Sequence, residues 1–367
     1  MEKVSIIFPV YREGKVVENI IKLQNDPYPN KEFIVTVDCP TDDFLKELDK
    51  IKGLDNVKVI LSKERGGKVL ATNEAVKESS GDILIFLDGD VDIKKFDIKK
   101  VVEACRQYDL VEFVKTVKPI GILGKLMHIE YFVYYHVVLW LSSLINKSVA
   151  MNGAGFAIRK DIWEKLGGYK RMVVEDVDLA TRVYIMGGKY KLLEDIVLEI
   201  EPLTSWKKWI DQRKRWAYGG IEWLFTYFKA IFRFLYKNPI MLVTSTILMN
   251  PGIIVLLILL FYPMKELYNI SYKTIIILSE TISPLIFFLI PVSLIYSFVK
   301  AIVHIALYIL VVTIVYYLFA YKHKVKLNPL WIIGFALIYS PLYILIILYV
   351  IFHYILFDAP PKFSWKV

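Results

Sequence analysis

Two aspartates one residue apart, Asp88 and Asp90 flanking Gly89, follow the uninterrupted apolar run Ile83-Leu84-Ile85-Phe86-Leu87. Five consecutive buriable residues read as an inner strand of a mostly parallel sheet, and sheets of that kind bind ligands at the carboxyl ends of their strands. Two carboxylates placed there, together with a diphosphate and waters, can complete the oxygen shell of Mg²⁺ or Mn²⁺. The plainer alternative is a solvated turn. Other groups bear on the choice. Asp38 also closes an apolar run, Phe33–Asp38, where it either serves a ligand or caps the next helix. Arg65-Gly66-Gly67-Lys68 opens a helix-like stretch carrying Asn73, and glycines, a lysine and a helix N-terminus together suit a phosphate.

Glu175, Asp176 and Asp178 crowd acids ahead of an amphipathic stretch. Mutual repulsion can raise one of their pKa values and make a base of it, whereas an acid-rich helix start is the bland reading. Gln212, Arg215 and Trp216, spaced i, i+3, i+4, share a helical face. A guanidinium there can neutralise a leaving diphosphate and an indole can carry a sugar ring, though an interfacial basic-aromatic helix has the same composition. The five histidines show no metal-ligand spacing, and no Ser/His/Asp set or cysteine nucleophile stands out.

The elements that must position these groups alternate. Strand-like runs at Val4–Val10, Phe33–Asp38, Val57–Leu61 and Ile83–Leu87 are interleaved with helix-like segments near 14–25, 43–52 and 67–79, which predicts a doubly wound α/β domain. The glycine-rich turn of a dinucleotide-binding domain is missing after the first strand, where Pro9-Val10-Tyr11-Arg12-Glu13-Gly14 stands instead. The aromatic stretch within 121–147 is short for a membrane crossing and predicts a core or interfacial helix. Ser205–Lys237 mixes Trp, Phe and Tyr with Lys and Arg, as interfacial helices do.

Mean hydropathy of +0.45 over 367 residues is too apolar for an ordinary soluble protein. Segments 239–262, 281–299, 301–321 and 327–357 lack Asp, Glu, Lys and Arg, which predicts three or four crossings. The formal charge of +9 concentrates in Lys207–Arg215 and in Lys322–Lys326, both beside apolar segments, so lipid headgroups rather than nucleic acid are the expected anionic partner. With the first strand starting almost at Met1 and only Cys39 and Cys105 as cysteines, both read as packing residues, the N-terminal domain is expected in the cytosol. Lys322–Lys326 is then expected on the cytosolic side, which requires 275–299 to be re-entrant or interfacial if all four segments count.

Read in order, Pro9-Val10-Tyr11-Arg12-Glu13, Asp38, Gly67-Lys68, Asp88-Gly89-Asp90, Asn152-Gly153-Ala154-Gly155, Glu175-Asp176 and Gln212-x-x-Arg215-Trp216 resemble family 2 glycosyltransferases. The last motif, followed by membrane segments, is similar to the cellulose-synthase and hyaluronan-synthase branch. The resemblance implies a GT-A α/β domain, a Mn²⁺ or Mg²⁺ cofactor, and inverting transfer from a nucleoside-diphosphate sugar. It implies that Pro9, Tyr11, Glu13, Asp38, Lys68 and Asp88 hold the nucleotide sugar, Asp38 at the base, and that Asp90 with Asp88 binds the metal. Asp176, beside Glu175, would be the catalytic base. Gln212, Arg215 and Trp216 would frame the diphosphate and acceptor, with Asn152, Gly153 and Gly155 on the acceptor side. Two departures stand out: Val37-Asp38-Cys39-Pro40 replaces Asp-Asp-Gly-Ser, and Val174 replaces the threonine before Glu175-Asp176.

The resulting expectation is a multi-pass membrane protein with a catalytic domain over 1–204, interfacial helices over 205–238, a transmembrane region over 239–357 and a tail over 358–367. It would move a hexose, with mannose from GDP-mannose as the favoured case, onto a polyprenyl or dolichyl phosphate-linked acceptor. A processive polysaccharide synthase using a UDP-sugar, and a non-enzymatic nucleotide-binding membrane scaffold, are the alternatives.

Overall fold

A computed structural model describes residues 1–12, 14–261 and 286–357. Glu13, the tail from 358, and residues 275–285 of the 275–299 segment considered for re-entry lie outside the described residues. The chain divides into two units, Met1–Leu242 with the C-terminal stretch from Ile346, and Val243–Leu345.

The first unit is built on an eight-stranded sheet of order β3-β2-β1-β4-β7-β6-β8-β5. The strands β1 (Val4–Tyr11), β2 (Lys31–Asp38), β3 (Val57–Ser62) and β4 (Ile83–Leu87) lie where the apolar runs place them and pair in parallel. They alternate with α1 (Val16–Gln24), α2 (Asp42–Lys52) and α3 (Lys68–Lys77). All five residues of β4 are at most 2 % exposed, and each buried aliphatic or aromatic side chain contributes about 1.5–3 kcal/mol.

Beyond β4 the sheet is mixed rather than mostly parallel. β7 (Gly155–Arg159) runs antiparallel to both β4 and β6 (Leu110–Val117), β8 (Tyr190–Ile200) is parallel to β6, and the short β5 (Asp92–Lys95) is antiparallel to β8. The physical reason lies in the connections: β4 and β7 are neighbours in the sheet although β5, β6 and α4 (Ile98–Cys105) intervene in the chain.

The aromatic stretch after 121 is α5 (Gly121–Val133), continued through a π-helical turn at Tyr134–Leu139 into α6 (Trp140–Leu144). Leu126, Met127, Ile129, Val133 and Tyr135 are buried, so of the two expected placements it is the core. The unit is completed by α7 (Lys160–Leu166), α8 (Glu175–Ile185) and the 32-residue α9 (Trp206–Lys237). Ser205 caps α9 by accepting from the Lys208 N–H at 3.3 Å, and the helix is bent at Tyr227, where φ is −117°. Past the bend Phe228, Phe232 and Tyr236 stack in an exposed row.

α10 (Pro239–Val243) ends on the first residue of the second unit; extended by a π-helical turn to Leu248, it meets α11 (Gly252–Phe261) at 74° around Asn250-Pro251. Proline lacks the N–H that would continue the helix. Tyr316 donates its hydroxyl to the carbonyl of Leu248, one of those left over at the break. Segments 281–299 and 301–321, expected as separate crossings, run together from Ile286 as the 37-residue α12 (Ile286–Lys322). The lone Lys300 between them does not break the helix because its long stem lets the ammonium lie over the Tyr296 ring, 4.3 Å from its centre. Among the described residues two stretches are long and apolar enough to cross a membrane, Ile295–Lys322 and Pro329–Phe357, or three if the bent pair counts as one. The second of these comprises α13 (Pro329–Gly334), a π-helical turn and α14 (Ser340–Phe357). The last turns of α14 belong to the first unit, where Tyr349 lies under the Lys214 ammonium and Tyr354 beside Tyr218.

Candidate functional site

β1 pairs with β4 only from Val4 to Ile7, yet it stays in register with β2 as far as Tyr11 opposite Asp38. Pro9, with no N–H to give, lies where the β1–β4 ladder has ended. The two strand ends separate there and leave a cavity of about 300 Å³, lined by Pro9, Tyr11, Asp38, Arg65, Gly67, Lys68, Asp88 and Asp90 among others. The turn after β4 is packed too tightly for a side chain on one partner. A Cβ on Gly14 would lie 2.5 Å from the Gly89 carbonyl oxygen, which accepts from the Lys15 N–H at 2.7 Å.

Asp38 is buried at the end of β2, and its Oδ2 accepts from the Gly67 N–H at 2.9 Å. It therefore holds the turn that opens α3. Capping of α2 falls to Thr41, whose Oγ1 accepts from the Phe44 N–H at 3.2 Å. Gly67, at φ +89°, needs the conformational freedom of glycine. Arg65 lies over the Tyr11 ring, 4.3 Å from its centre, at the cavity mouth. Cys39 is half-exposed in a left-handed turn at φ 51° rather than packed, while Cys105 is buried, which pushes its thiol up to about 12.

Lys68, the first residue of α3, pairs with Asp88 at 2.7 Å and lies 3.6 Å from Glu175. Burial works against its charge, but Asp88, Glu175 and Asp176 outweigh that and raise its pKa. Asp90 reaches the surface, yet crowding by protein raises its carboxyl pKa, and the neighbouring Asp88 charge adds to that; Lys68 and Lys15 oppose it. An anion held at a disadvantage next to a second carboxylate is what a divalent cation would relieve, so this pair fits an oxygen-ligated metal.

The crowded acids prove to be the first turn of α8, and each has a different environment. Asp176 Oδ2 accepts from the Gly153 N–H at 2.7 Å and its Oδ1 from the Val177 N–H at 2.8 Å. Gly153 allows that approach, since a Cβ there would lie 2.8 Å from the Asp176 Cβ. Glu175 faces Lys68, and burial raises its carboxyl to about 7 against the pull of that lysine, with Asp176 adding to the rise. Asp178 is fully buried and structural: it pairs with Arg182 at 2.6 Å and accepts from the Tyr227 hydroxyl at 2.6 Å. That last bond lies at the bend of α9.

The stretch Asn152–Gly155 rests on groups the sequence did not single out. Glu112 and Lys115, both on β6, are fully buried and 3.1 Å apart; Glu112 accepts from the Asn152 N–H at 3.0 Å and Lys115 donates to the Asn152 carbonyl at 2.8 Å. Gly155, expected on the acceptor side, is instead inside the sheet, where a Cβ would meet Leu198 at 2.2 Å. Its smallness serves packing. On α9, Arg215 is half-buried; burial lowers its pKa, and Glu175 and Asp176 oppose that, so the guanidinium faces the acids of α8. Gln212 and Trp216 turn out to share a partner, Arg213, whose only sequence signal is the spacing Trp209, Arg213, Trp216 at i, i+4, i+7.

Lys68, Asp88, Glu175, Asp176 and Arg215 thus come from α3, β4, α8 and α9 into one electrostatic cluster beside the cavity. A cluster of cations and carboxylates at strand ends can bind a diphosphate, hold a metal and accept a proton.

Comparison with known proteins agrees with that chemistry. The model of glycosyl transferase family 2 matches residues 5–167, and that of glycosyl transferase family group 2 matches residues 125–359, more than half of the chain. A probable glycosyltransferase of Bacillus subtilis (strain 168), YdaM, is 29% identical over 254 residues, covering 62% of this chain and 59% of the relative. The poly-beta-1,6-N-acetyl-D-glucosamine synthase of Staphylococcus aureus (strain COL) is 24% identical over 242 residues, 60% of this chain and 55% of the relative. The chain thus spans somewhat over half the length of these relatives. The mannosyltransferase PcManGT of Pyrobaculum calidifontis, solved in complex with GDP-Man and Mn²⁺, superposes with a TM-score of 0.51 at 20% identity, covering 62% of this chain and 64% of that one. That likeness extends to the fold.

Proposed function

Because the chain belongs to the family 2 glycosyltransferases, we propose that it moves a hexose from a nucleoside-diphosphate sugar to a lipid-linked acceptor at the membrane surface. The observation that carries this reading is the convergence of Lys68, Asp88, Asp176 and Arg215 beside a cavity that ends at Asp38 and Tyr11. The nucleotide lies in the cavity with its base toward Asp38 and its phosphates toward Lys68. Asp88 and Asp90 would hold Mn²⁺ or Mg²⁺, which would neutralise charge on the departing diphosphate.

Transfer breaks the bond between the sugar's anomeric carbon and the diphosphate oxygen, which leaves with the electron pair toward Lys68 and Arg215. The acceptor hydroxyl attacks from the opposite face and gives its proton to Asp176, held in place by two backbone N–H groups. An acceptor that attacks through an already ionised phosphate needs no such base. The lipid-linked acceptor is supported by α9, which carries Gln212, Arg215 and Trp216 near its start and an exposed aromatic row past its bend, and by the two stretches fit to cross a bilayer. GDP-mannose is the donor we favour, and the catalytic unit is placed on the cytosolic side.

The test is a panel of GDP-mannose, UDP-glucose and UDP-N-acetylglucosamine with polyprenyl phosphate, reading nucleoside diphosphate release and lipid-extractable sugar. The reading expects turnover that a chelator abolishes and that Asp90→Asn lowers by about 10²-fold or more, because several kcal/mol of charge stabilisation are lost. Near-parental turnover by Asp90→Asn after chelation would remove the metal from the reaction. The name of the Staphylococcus relative favours a second reading, a processive synthase. Long lipid-free polysaccharide from the purified protein would select it over addition of one or a few sugars.

A further inference from the structure

Arg213 is fully buried, and its partner Glu130 on α5 is only 5 % exposed; the guanidinium Nη2 donates to Glu130 Oε2. Its Nη1 donates to Gln212 Oε1 at 3.0 Å, and its Cζ lies 4.1 Å from the centre of the Trp216 ring and 5.5 Å from that of Trp209. A guanidinium has donors and no acceptor, so the Gln212 amide must present its oxygen to Arg213 and turn its NH₂ the other way. The indole of Trp216 is fixed in tilt by the same cation.

The next residue on α5, Tyr131, is buried and lies beside the Asn152 side chain. Glu130 and Tyr131 therefore set the start of α9 and the Asn152 loop against one helix. An ion pair removed from water contributes little to stability compared with apolar packing of the same volume. Its geometric effect is the larger one.

We infer that Arg213, clamped by Glu130, is a positioning residue for glycosyl transfer, setting the Gln212 amide and the Trp216 ring at the wall where diphosphate and acceptor meet. This rests on the transferase reading above. Arg213 is itself fully buried. It acts through Gln212 and Trp216, so its loss should look like theirs.

The experiment is a double-mutant cycle in the full-length protein, crossing Gln212→Ala with the paired replacement Glu130→Leu/Arg213→Leu, assayed with whichever donor of the panel the parent turns over. The paired replacement should melt no earlier than the parent and bind nucleoside diphosphate within about twofold of it, since an apolar pair substitutes for a buried charged one and the cavity is untouched. Transfer should fall by about 10²-fold, the cost of a misplaced group about 1 Å from its working position, with a larger share of donor hydrolysed without transfer. Adding Gln212→Ala should then cost little more, because its amide is already unset.

Arg213→Lys keeps a charge for Glu130 but has one nitrogen to divide between Glu130 and Gln212. It should lose part of the rate, and it carries the same cycle if the leucine pair does not fold. Parental transfer by a folded variant, or losses that multiply independently with Gln212→Ala, would overturn the inference. A parent that turns over no nucleotide sugar would instead overturn the transferase reading itself, and the inference with it.

Discussion

The two sides of the cluster are held in different ways. On the cavity side Asp38, Lys68, Asp88 and Asp90 hang from strand ends and the start of α3, so the parallel ladders of β1, β2 and β4 set their spacing. On the other side Asp176, Gln212, Arg215 and Trp216 hang from helices. Those helices are located by buried ion pairs, Glu130 of α5 with Arg213 of α9, and within α8 Asp178 with Arg182, which also bond to Tyr227 of α9 and to the carbonyls of Leu166 and Gly168, while Glu112 with Lys115 supports the loop against α8. A ladder fixes position through many repeated backbone bonds and tolerates the loss of one side chain. A buried pair does it through two side chains, and removing one leaves the other charged and unpaired.

The largest expected effect is at Asp176. Asp176→Asn keeps the size and one acceptor oxygen but cannot take a proton, so transfer to a hydroxyl acceptor should fall by about 10²–10⁴-fold while the protein stays folded and binds nucleoside diphosphate as before. Calorimetric titration with GDP or UDP alongside the transfer assay separates the two. Equal loss of nucleotide affinity would show that both sides of the cluster depend on this carboxylate.

Two residues along, the same substitution should act on stability instead. Asp178→Asn removes the charge from a buried pair and leaves Arg182 uncompensated, at a cost of about 3–5 kcal/mol. It should also loosen the bend of α9, because Tyr227 loses a charged acceptor at 2.6 Å. Urea melts of the full-length protein read the first effect. A variant that melts like its parent yet transfers no sugar would place Asp178 in the chemistry and break the contrast with Asp176.

That contrast also shows what the sequence could reveal. The ends of β1, β2, β3 and β4 were legible because largely apolar, strand-like runs, unbroken only in β4, stop at Tyr11, Asp38, Ser62 and Asp88, and a run's end is visible locally. The roles of Glu175, Asp176 and Asp178 were not, since crowding says that acids repel but not which of them meets Lys68, Gly153 or Arg182. Arg213 was passed over for Gln212, Arg215 and Trp216 because its partner Glu130 is 83 residues away. The reversal at β7 was hidden likewise, being decided by long connections rather than by any five-residue pattern. In the apolar region, a one-residue gap at Lys300 was read as a boundary, although a single lysine lying along a helix costs it little.

The smallest expected effect concerns Glu175, which joins the two sides by facing Lys68 across 3.6 Å. Burial raises its carboxyl from 4.5 to about 7, with Lys68 opposing and Asp176 and Asp88 adding to the rise; Arg215 faces the same acid. Between those two values the folded protein keeps a proton that the unfolded chain has released. Stability from this group is therefore fully present below about pH 4.5 and declines as pH rises toward 7, with a slope of at most about 1.4 kcal/mol per pH unit. Glu175→Gln is neutral throughout and should lack that decline, so relative to the parent it should gain stability from pH 5 to pH 7.5. Thermal melts of both proteins across that range test it. Parallel curves would mean that Lys68 and Arg215 keep Glu175 ionised in the fold, and that the helix side reaches further into the cavity side than the separate modes of support suggest.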